Sequence, residues 1–321
     1  MADANYDDVA LLIPGIGENN STTIIDYSPS YRSITAAYDA KISTAQSKFY
    51  GSSLAFDGGN DKINVPNSDD FWFGSAITIE FWIRPAEFSR TQYLLAHKQG
   101  TDTGWAITLK SSNQINLTVW NTGGGEAITG VPSTALPTLN TWYHVRIVFD
   151  NPNTYVFIDG ALSNSISSVT GSISGASANL SIGYDPANFG RVFNGYLNDI
   201  RITAGVARST SGFTVPTQFC PSITGVAKIG STPAQSLRAY SIGSPSGQYL
   251  PTATPDGSGD YTLYTADVKQ VVVCHHDDPD GTVTTTPEAA VVEAGGTANF
   301  YGVSDGANNV GGINSILLST L

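Results

Sequence analysis

Apolar and polar residues alternate with a period of two along much of the first two hundred residues, in short runs. Gly, Pro, Asn or Asp bounds each run, and these residues favour turns between strands. The pattern predicts strands at 9–13, 53–56, 62–65, 77–84, 93–97, 105–109, 114–120, 126–131, 142–150, 155–158, 179–183 and 197–202. Strands at this spacing predict a two-sheet sandwich or jelly roll, and the absence of a repeat argues against a propeller.

Two local segments refine this picture. Asp159-Gly160 lies between two strand-like runs, as a type I′ hairpin turn requires. Residues 33–45 are rich in Ala and come closest to helical spacing, but their apolar positions suit a pair of strands equally well. Both interpretations of 33–45 stay open.

A boundary follows the jelly roll where 213–221 reads FTVPTQFCP, a short stretch with two prolines. Beyond it the strand pattern restarts at 223–229, 236–241, 261–265 and 269–274. We therefore predict an all-β chain with three parts. They are a jelly-roll domain at 1–221 with its core at about 10–216, a small β-sandwich at 222–280, and a C-terminal arm or strand tail at 281–321.

Charge narrows the range of partners. Only 13% of residues are charged and the net charge is −12, without a basic cluster. Nucleic-acid binding needs a basic stripe that displaces counterions, so nucleic acid is excluded as a partner. The apolar run at 9–13 is too short for a signal-peptide core or a membrane span, so we expect no membrane insertion.

The two cysteines, Cys220 and Cys274, are either unpaired thiols or one disulfide.

Four ordered segments resemble the laminin G-like jelly-roll domains of the concanavalin A-like superfamily. They read SSLAFDGGNDKINV, FWFGSAITIEFWIRP, NTWYHVRIVFD with YVFIDG, and FNGYLNDIRITAGVARSTSGFTVP. The version that ends in DIRIT-x-GVAR is similar to domains of phage and prophage structural proteins. LRAYSIGSPSG and DGSGDYTLYT resemble the carboxypeptidase regulatory-like sandwiches that follow such domains.

The resemblance also implies a Ca²⁺ site between the first FDG turn and the strand near the end of the domain. Its ligands in this chain would be Asp57, Asp61, Asn198 and Asp199. Calcium takes six to eight oxygen ligands, and Asn198 replaces the usual acid and removes one charge. Asx-turns explain Asp57 and Asp61 equally well.

Glu80 is the only carboxylate inside a core-type strand, so it is the natural candidate for acid or base chemistry. Glycosidases need two carboxylates, but the alternate positions here hold Thr78, Trp82 and Arg84. We predict that Glu80 pairs structurally with Arg84 or another base, that no residue is catalytic and that the chain is not an enzyme.

Residues 274–280, CHHDDPD, could bind a metal but favour a solvated strand end.

Aromatic residues near the predicted loops could stack against sugars, although each could equally belong to the core. The candidates are Trp105, Trp120, Tyr184 and Phe189. The motif tryptophans Trp72, Trp82 and Trp142 are assigned to packing.

The resemblance implies a bacteriophage virion structural protein, such as a decoration, tail or fibre component. It would be made in the host cytoplasm, and its partners would be other virion proteins, copies of itself and host-surface glycans. The alternative is a secreted or surface carbohydrate-binding adhesin with an extracellular location. A glycan-cleaving enzyme is a third hypothesis, for which no carboxylate pair is found in the sequence.

Overall fold

The computed structural model describes residues 3–216, except 101–102, 122–124, 170–172, 174 and 189, together with the backbones of seven later strands. The chain divides into two compact units, Asp3–Phe219 and Cys220–Leu321. Within the described residues, helical structure is limited to two 3-10 turns at Tyr6–Asp8 and Asp69–Phe71. None of the described residues forms a helix long and apolar enough to cross a membrane.

Fifteen strands build the first unit, and they confirm the predicted all-β fold. They are β1 (Val9–Ile13), β2 (Thr35–Ala37), β3 (Lys41–Ser43), β4 (Ser53–Asp57), β5 (Lys62–Val65), β6 (Ala76–Pro85), β7 (Gln92–Gln99), β8 (Thr103–Leu109), β9 (Gln114–Trp120), β10 (Glu126–Ala135), β11 (Tyr143–Asp150), β12 (Asn153–Ile158), β13 (Ala161–Ser167), β14 (Leu180–Ile182) and β15 (Asn194–Ala204). Each of the twelve predicted strands overlaps one of them.

Two antiparallel sheets form the sandwich. The eight-stranded sheet has the order β13-β12-β11-β6-β15-β4-β3, with β1 paired to β15, and the seven-stranded sheet has the order β10-β9-β8-β7-β14-β5-β2. One face of each sheet supplies the core, where Phe81, Trp105 and Phe149 are among the largest fully buried side chains. Burial of this apolar surface is the main stabilising term of the fold.

Backbone geometry and strand pairing decide the two local predictions, the hairpin at Asp159-Gly160 and the conformation of residues 33–45. Asp159 and Gly160 have φ values of 50° and 79°, which gives the hairpin between β12 and β13 that their sequence predicted. Residues 33–45 form strands rather than a helix, but β2 and β3 pair with different sheets. The segment thus connects the two layers of the sandwich.

In the second unit, β16 (Ser222–Ile229) pairs with β17 (Thr232–Pro233), β19 (Asp260–Tyr264) and β22 (Phe300–Gly302), and β20 (Gln270–His275) pairs with β18 (Ser236–Ser241) and β21 (Ala289–Val292). Both β21 and β22 come from the predicted C-terminal arm. Whether Cys220 and Cys274 pair, and whether 274–280 binds a metal, concerns side chains outside the described residues.

Glu80 lies on the outer face of the eight-stranded sheet, yet it is fully buried. The register places Arg146 and Arg201 directly beside it on the two neighbouring strands. Arg146 Nη2 lies 2.7 Å from one carboxylate oxygen and Arg201 Nη2 lies 2.5 Å from the other. The sequence predicted that Glu80 pairs with Arg84 or with another base. The partners in the structure are other bases, Arg146 and Arg201.

Residues 205–216, which follow β15, cover the row of Arg146, Glu80 and Arg201. Arg208 Nη2 pairs with Asp3 at 2.8 Å, and Asp3 also pairs with Arg201 at 2.8 Å. The guanidinium of Arg146 lies 3.6 Å from the centre of the Phe213 ring. This part of the outer face is thus closed to solvent by a charged network that lies beneath an aromatic ring.

Burial acts most strongly on the Glu80 carboxyl and alone would raise its pKa. The charge of Arg201, the hydrogen bond with His144 and the charge of Arg146 outweigh burial, so the pKa lies well below its usual 4.5. The stabilisation is consequently present above about pH 4.5 and is lost as the pH falls through the folded-state pKa.

Glu80→Ala removes the carboxylate that the buried Arg146 and Arg201 share, and only Arg201 keeps an acidic partner, Asp3. We expect a loss of about 3–5 kcal/mol in the free energy of unfolding. All five tryptophans precede residue 216, so urea unfolding followed by tryptophan fluorescence reports on the jelly roll.

The matched control is Glu87→Ala. Glu87 pairs with Arg90 at 2.5 Å, but both side chains are partly exposed, so its removal costs less than about 1 kcal/mol. Equal losses in the two variants would contradict a structural role for the buried network.

Candidate functional site

A groove crosses the outer face of the eight-stranded sheet, away from the Glu80 network. The strand register aligns Lys41, Ala55, Tyr196 and Arg84 in one row over four neighbouring strands. Because side chains alternate between the two faces of a strand, all four lie on the same face. The small Ala55 side chain leaves a depression between Lys41 and Tyr196, and this depression is the floor of the groove.

Polar side chains make the walls of the groove, whose volume is about 770 Å³. Other lining residues include Asp39, Ser43, Gln46, Asp57, Asp61, Asn140 and Asn194. The Arg84 guanidinium lies 5.7 Å from the centre of the Tyr196 ring, and Arg84 Nη1 donates to Asn140 Oδ1 at 3.0 Å. The site thus combines one aromatic face with several amide and charged groups that can donate or accept hydrogen bonds.

Gly195 is required where β15 and β6 come together beside the groove. Its φ is 145°, and a Cβ atom there would lie 2.4 Å from the carbonyl oxygen of Arg84. A larger residue would separate the strands that carry Tyr196 and Arg84.

Three carboxylates meet at one end of the groove. Oxygen atoms of Asp39, Asp57 and Asp61 all lie within 4.8 Å of one another. The buried Asp61 accepts from the amide of Asp39 at 2.8 Å and from the amide of Asp57 at 2.7 Å. Asp57 accepts from the Gly59 amide at 2.7 Å, which is the predicted Asx-turn geometry.

Asp39, Asp57 and Asp61 form an acidic triad in which three carboxyl groups lie close together. Burial is the largest influence on Asp61 and raises its pKa, while hydrogen bonds from backbone amides lower it and the negative charges of Asp57 and Asp39 raise it further. The net shift is upward. No ion pair among the described residues reaches these three carboxylates.

The predicted calcium ligands fall into two separate places. Asn194 pairs with Asp57 in the register, so Asn198 lies four residues further along β15, about 13 Å away along the strand. Asn198 accepts from the amides of Lys48 and Phe49, each at 3.0 Å. Asp199 accepts from the Tyr50 hydroxyl at 2.7 Å.

Among the described residues, the carboxylates that could hold a metal ion together are therefore those of Asp39, Asp57 and Asp61. These residues offer hard carboxylate oxygens, and a divalent cation would relieve their mutual repulsion. Asp39 was not identified from the sequence, because only the pairing of β2 and β3 with neighbouring strands brings it beside the FDG turn.

The predicted aromatic ligand-binding residues also separate in the structure. Trp105 is 2% exposed within the inter-sheet core and donates from Nε1 to the Phe71 carbonyl at 2.7 Å. Its ring is inaccessible to a ligand in this structure. Trp120 and Tyr184 lie on the outer face of the seven-stranded sheet, where Trp120 is partly exposed. Phe189 falls outside the described residues.

Residues 57–210 match a family model described as the concanavalin A-like lectin/glucanases superfamily. The first unit has the two-sheet fold of a concanavalin A-like jelly roll. No curated protein matches the chain in sequence.

Solved structures share the fold of this jelly-roll protein. The binding domain of Paraclostridial Mosquitocidal Protein 1 is 15% identical, with a TM-score of 0.52 over 89% of this chain and 76% of that one. The botulinum neurotoxin serotype D binding domain is 11% identical, with a TM-score of 0.53 over 90% of this chain and 71% of that one. At these identities the likeness concerns the fold alone.

Calcium should stabilise the jelly roll through the acidic triad. A free concentration one hundred times Kd contributes about 2.7 kcal/mol, which raises Tm by about 5–10 °C in a domain of this size. Asp57→Asn keeps the Asx-turn acceptor but removes one charge, so the calcium-dependent rise should fall sharply. Differential scanning calorimetry with CaCl₂ and with chelator measures both effects.

Asp7→Asn is the control, because it removes an equal charge from an exposed position in the N-terminal 3-10 turn. It should keep the full rise in Tm. A wild-type Tm that does not respond to calcium, or equal responses in the two variants, would contradict a calcium site at the triad.

Proposed function

We propose that the jelly roll is a carbohydrate-binding domain and that the groove over Ala55 and Tyr196 holds the sugar. The observation that carries this proposal is the composition of the groove, in which one tyrosine ring lies among amide, carboxylate and guanidinium groups. Sugars present C–H groups on their faces, which suit the negative face of an aromatic ring. Their hydroxyl groups suit planar side chains that both donate and accept hydrogen bonds.

The match to a superfamily that contains lectins supports this proposal. The structural relatives are also binding domains by name. A calcium ion at the triad would hold Asp39, Asp57 and Asp61 in place at the end of the groove and would add a positive charge there.

We propose binding without catalysis. A glycosidase places its acid and its second carboxylate on opposite sides of the scissile bond, whereas Asp39, Asp57 and Asp61 cluster at one end of the groove. Asp61 is pinned by two backbone amides and Glu80 is sealed under arginines. Neither carboxylate is placed to donate a proton to a leaving group.

Tyr196→Ala removes the aromatic face of the groove while leaving the sheet register intact. On a glycan array, the wild-type chain should bind a restricted set of oligosaccharides, and Tyr196→Ala should bind them at least about tenfold more weakly. Calorimetry with the best oligosaccharide then measures Kd for each protein.

Tyr155→Ala is the matched control. Tyr155 is a partly buried tyrosine on β12, two strands away from β6 in the same sheet. It should leave glycan affinity unchanged. Failure of the wild type to bind any glycan, or equal losses in the two variants, would overturn the proposal.

We further propose that the chain is a bacteriophage virion component that displays this domain. The supporting observation is FNGYLNDIRITAGVARSTSGFTVP, which resembles phage structural proteins and which forms β15 and the covering segment. The looser resemblance of 222–280 to carboxypeptidase regulatory-like sandwiches points the same way. The second unit would then attach the jelly roll to other virion proteins or to copies of itself, by strand pairing at sheet edges.

Antibody raised against the recombinant chain tests the virion proposal by immunogold electron microscopy of particles purified from the source. Regular labelling at a capsid or tail position is the expected result. Unlabelled particles would reject it, and label on the cell surface instead would favour the alternative of a carbohydrate-binding adhesin.

A further inference from the structure

Three cations, Lys98, Lys110 and Arg191, lie at the outer face of the seven-stranded sheet in a chain whose net charge is −12. The register explains how one of them is held. Ala96 and Ala106 face each other on β7 and β8, and their small side chains leave room for Lys98 to lie flat across the sheet. The Lys98 ammonium is 5.3 Å from the centre of the Tyr93 ring and 5.0 Å from that of Trp120.

Lys98 is buried, with only 4% of its side chain exposed. Its ion pair with Asp185 spans 3.5 Å between Nζ and Oδ1, whereas close charged pairs span about 2.7–2.9 Å. The desolvation cost of this ammonium is therefore met largely by two aromatic faces and only loosely by a carboxylate.

Asp185 is shared with a second cation. Arg191 Nη1 lies 3.5 Å from Asp185 Oδ2 and 3.4 Å from the Tyr93 hydroxyl. Oδ1 of the same carboxylate also accepts from the Ala187 amide at 3.0 Å. One buried carboxylate thus serves two cations at long range, and the Arg191 side chain is 46% exposed.

Lys110 adds a third positive charge nearby. In the register Thr108 pairs with Tyr93, and Lys110 follows two residues later at the end of β8, where the charges of Arg191 and Glu126 influence it. Three cations therefore face two carboxylates, Asp185 and Glu126, in a chain whose acids otherwise outnumber its bases. Coulomb attraction from this excess of one positive charge favours an anion at this surface.

We infer that this cationic surface, formed by Tyr93, Lys98, Lys110, Trp120 and Arg191, is a second binding site that takes a carboxylate-bearing sugar. The ligand carboxylate reaches the exposed Arg191 and the partly buried Lys110, and the partly exposed Trp120 ring receives a sugar face. Bidentate pairing with a guanidinium favours a planar carboxylate. The site lies on a different sheet from the groove and does not depend on sugar binding there.

The test compares two probes with the same sugar chain, tri-galacturonic acid and its uncharged methyl ester. Isothermal titration of the full chain at low salt should show binding of the acid and at least about tenfold weaker binding of the ester. Raising the salt concentration should weaken binding of the acid and leave the ester unaffected. Equal affinities for the two probes, or no binding of the acid, would overturn the inference.

Substitutions on each sheet distinguish binding of the anion at the cationic surface from binding in the groove. Arg191→Gln and Lys110→Gln should each weaken binding of the acid, Arg191→Gln by at least about tenfold. Lys41→Gln removes the same charge from the groove and should leave this affinity unchanged. If Lys41→Gln or Tyr196→Ala weakens the acid as much as Arg191→Gln does, the anion binds in the groove and the second site is rejected. Glycan binding in the groove is judged separately, with neutral oligosaccharides and Tyr196→Ala.

Discussion

The two-residue period of a β-strand sends alternate side chains to opposite faces, and the core of the sandwich takes one full face of each sheet. The Glu80 network, the groove and the cationic surface therefore lie on the two remaining faces. On the eight-stranded sheet the outer face is divided. One part holds the sealed network around Glu80, and the other part holds the open groove over Ala55 and Tyr196.

The division of that face follows from what each row of side chains contains. The row of Arg146, Glu80 and Arg201 is composed of long charged groups that pair among themselves and lie beneath the segment after β15. The row through Ala55 and Tyr196 has a small residue beside an aromatic one, so no side chain fills the space between them. A rigid, self-paired row thus lies beside a row with room for a ligand.

The two candidate sites differ in charge. The groove ends in three carboxylates, whereas on the other sheet Lys98 and Arg191 share one buried carboxylate and Lys110 lies near Arg191. In a chain with few charged residues, such separation gives each face its own preference among ligands.

The sequence by itself determined the all-β class, nearly all the strands of the jelly roll and the Asp159-Gly160 hairpin, because alternation and turn chemistry are local properties. It also identified Asp57, Asp61, Trp120 and Glu80 as residues of interest. Only the tertiary structure decided their neighbours: Asp39 beside Asp57, Arg201 beside Glu80, and Trp105 inside the core. Strand order and register join residues far apart in the chain, and no local pattern encodes which strands become neighbours.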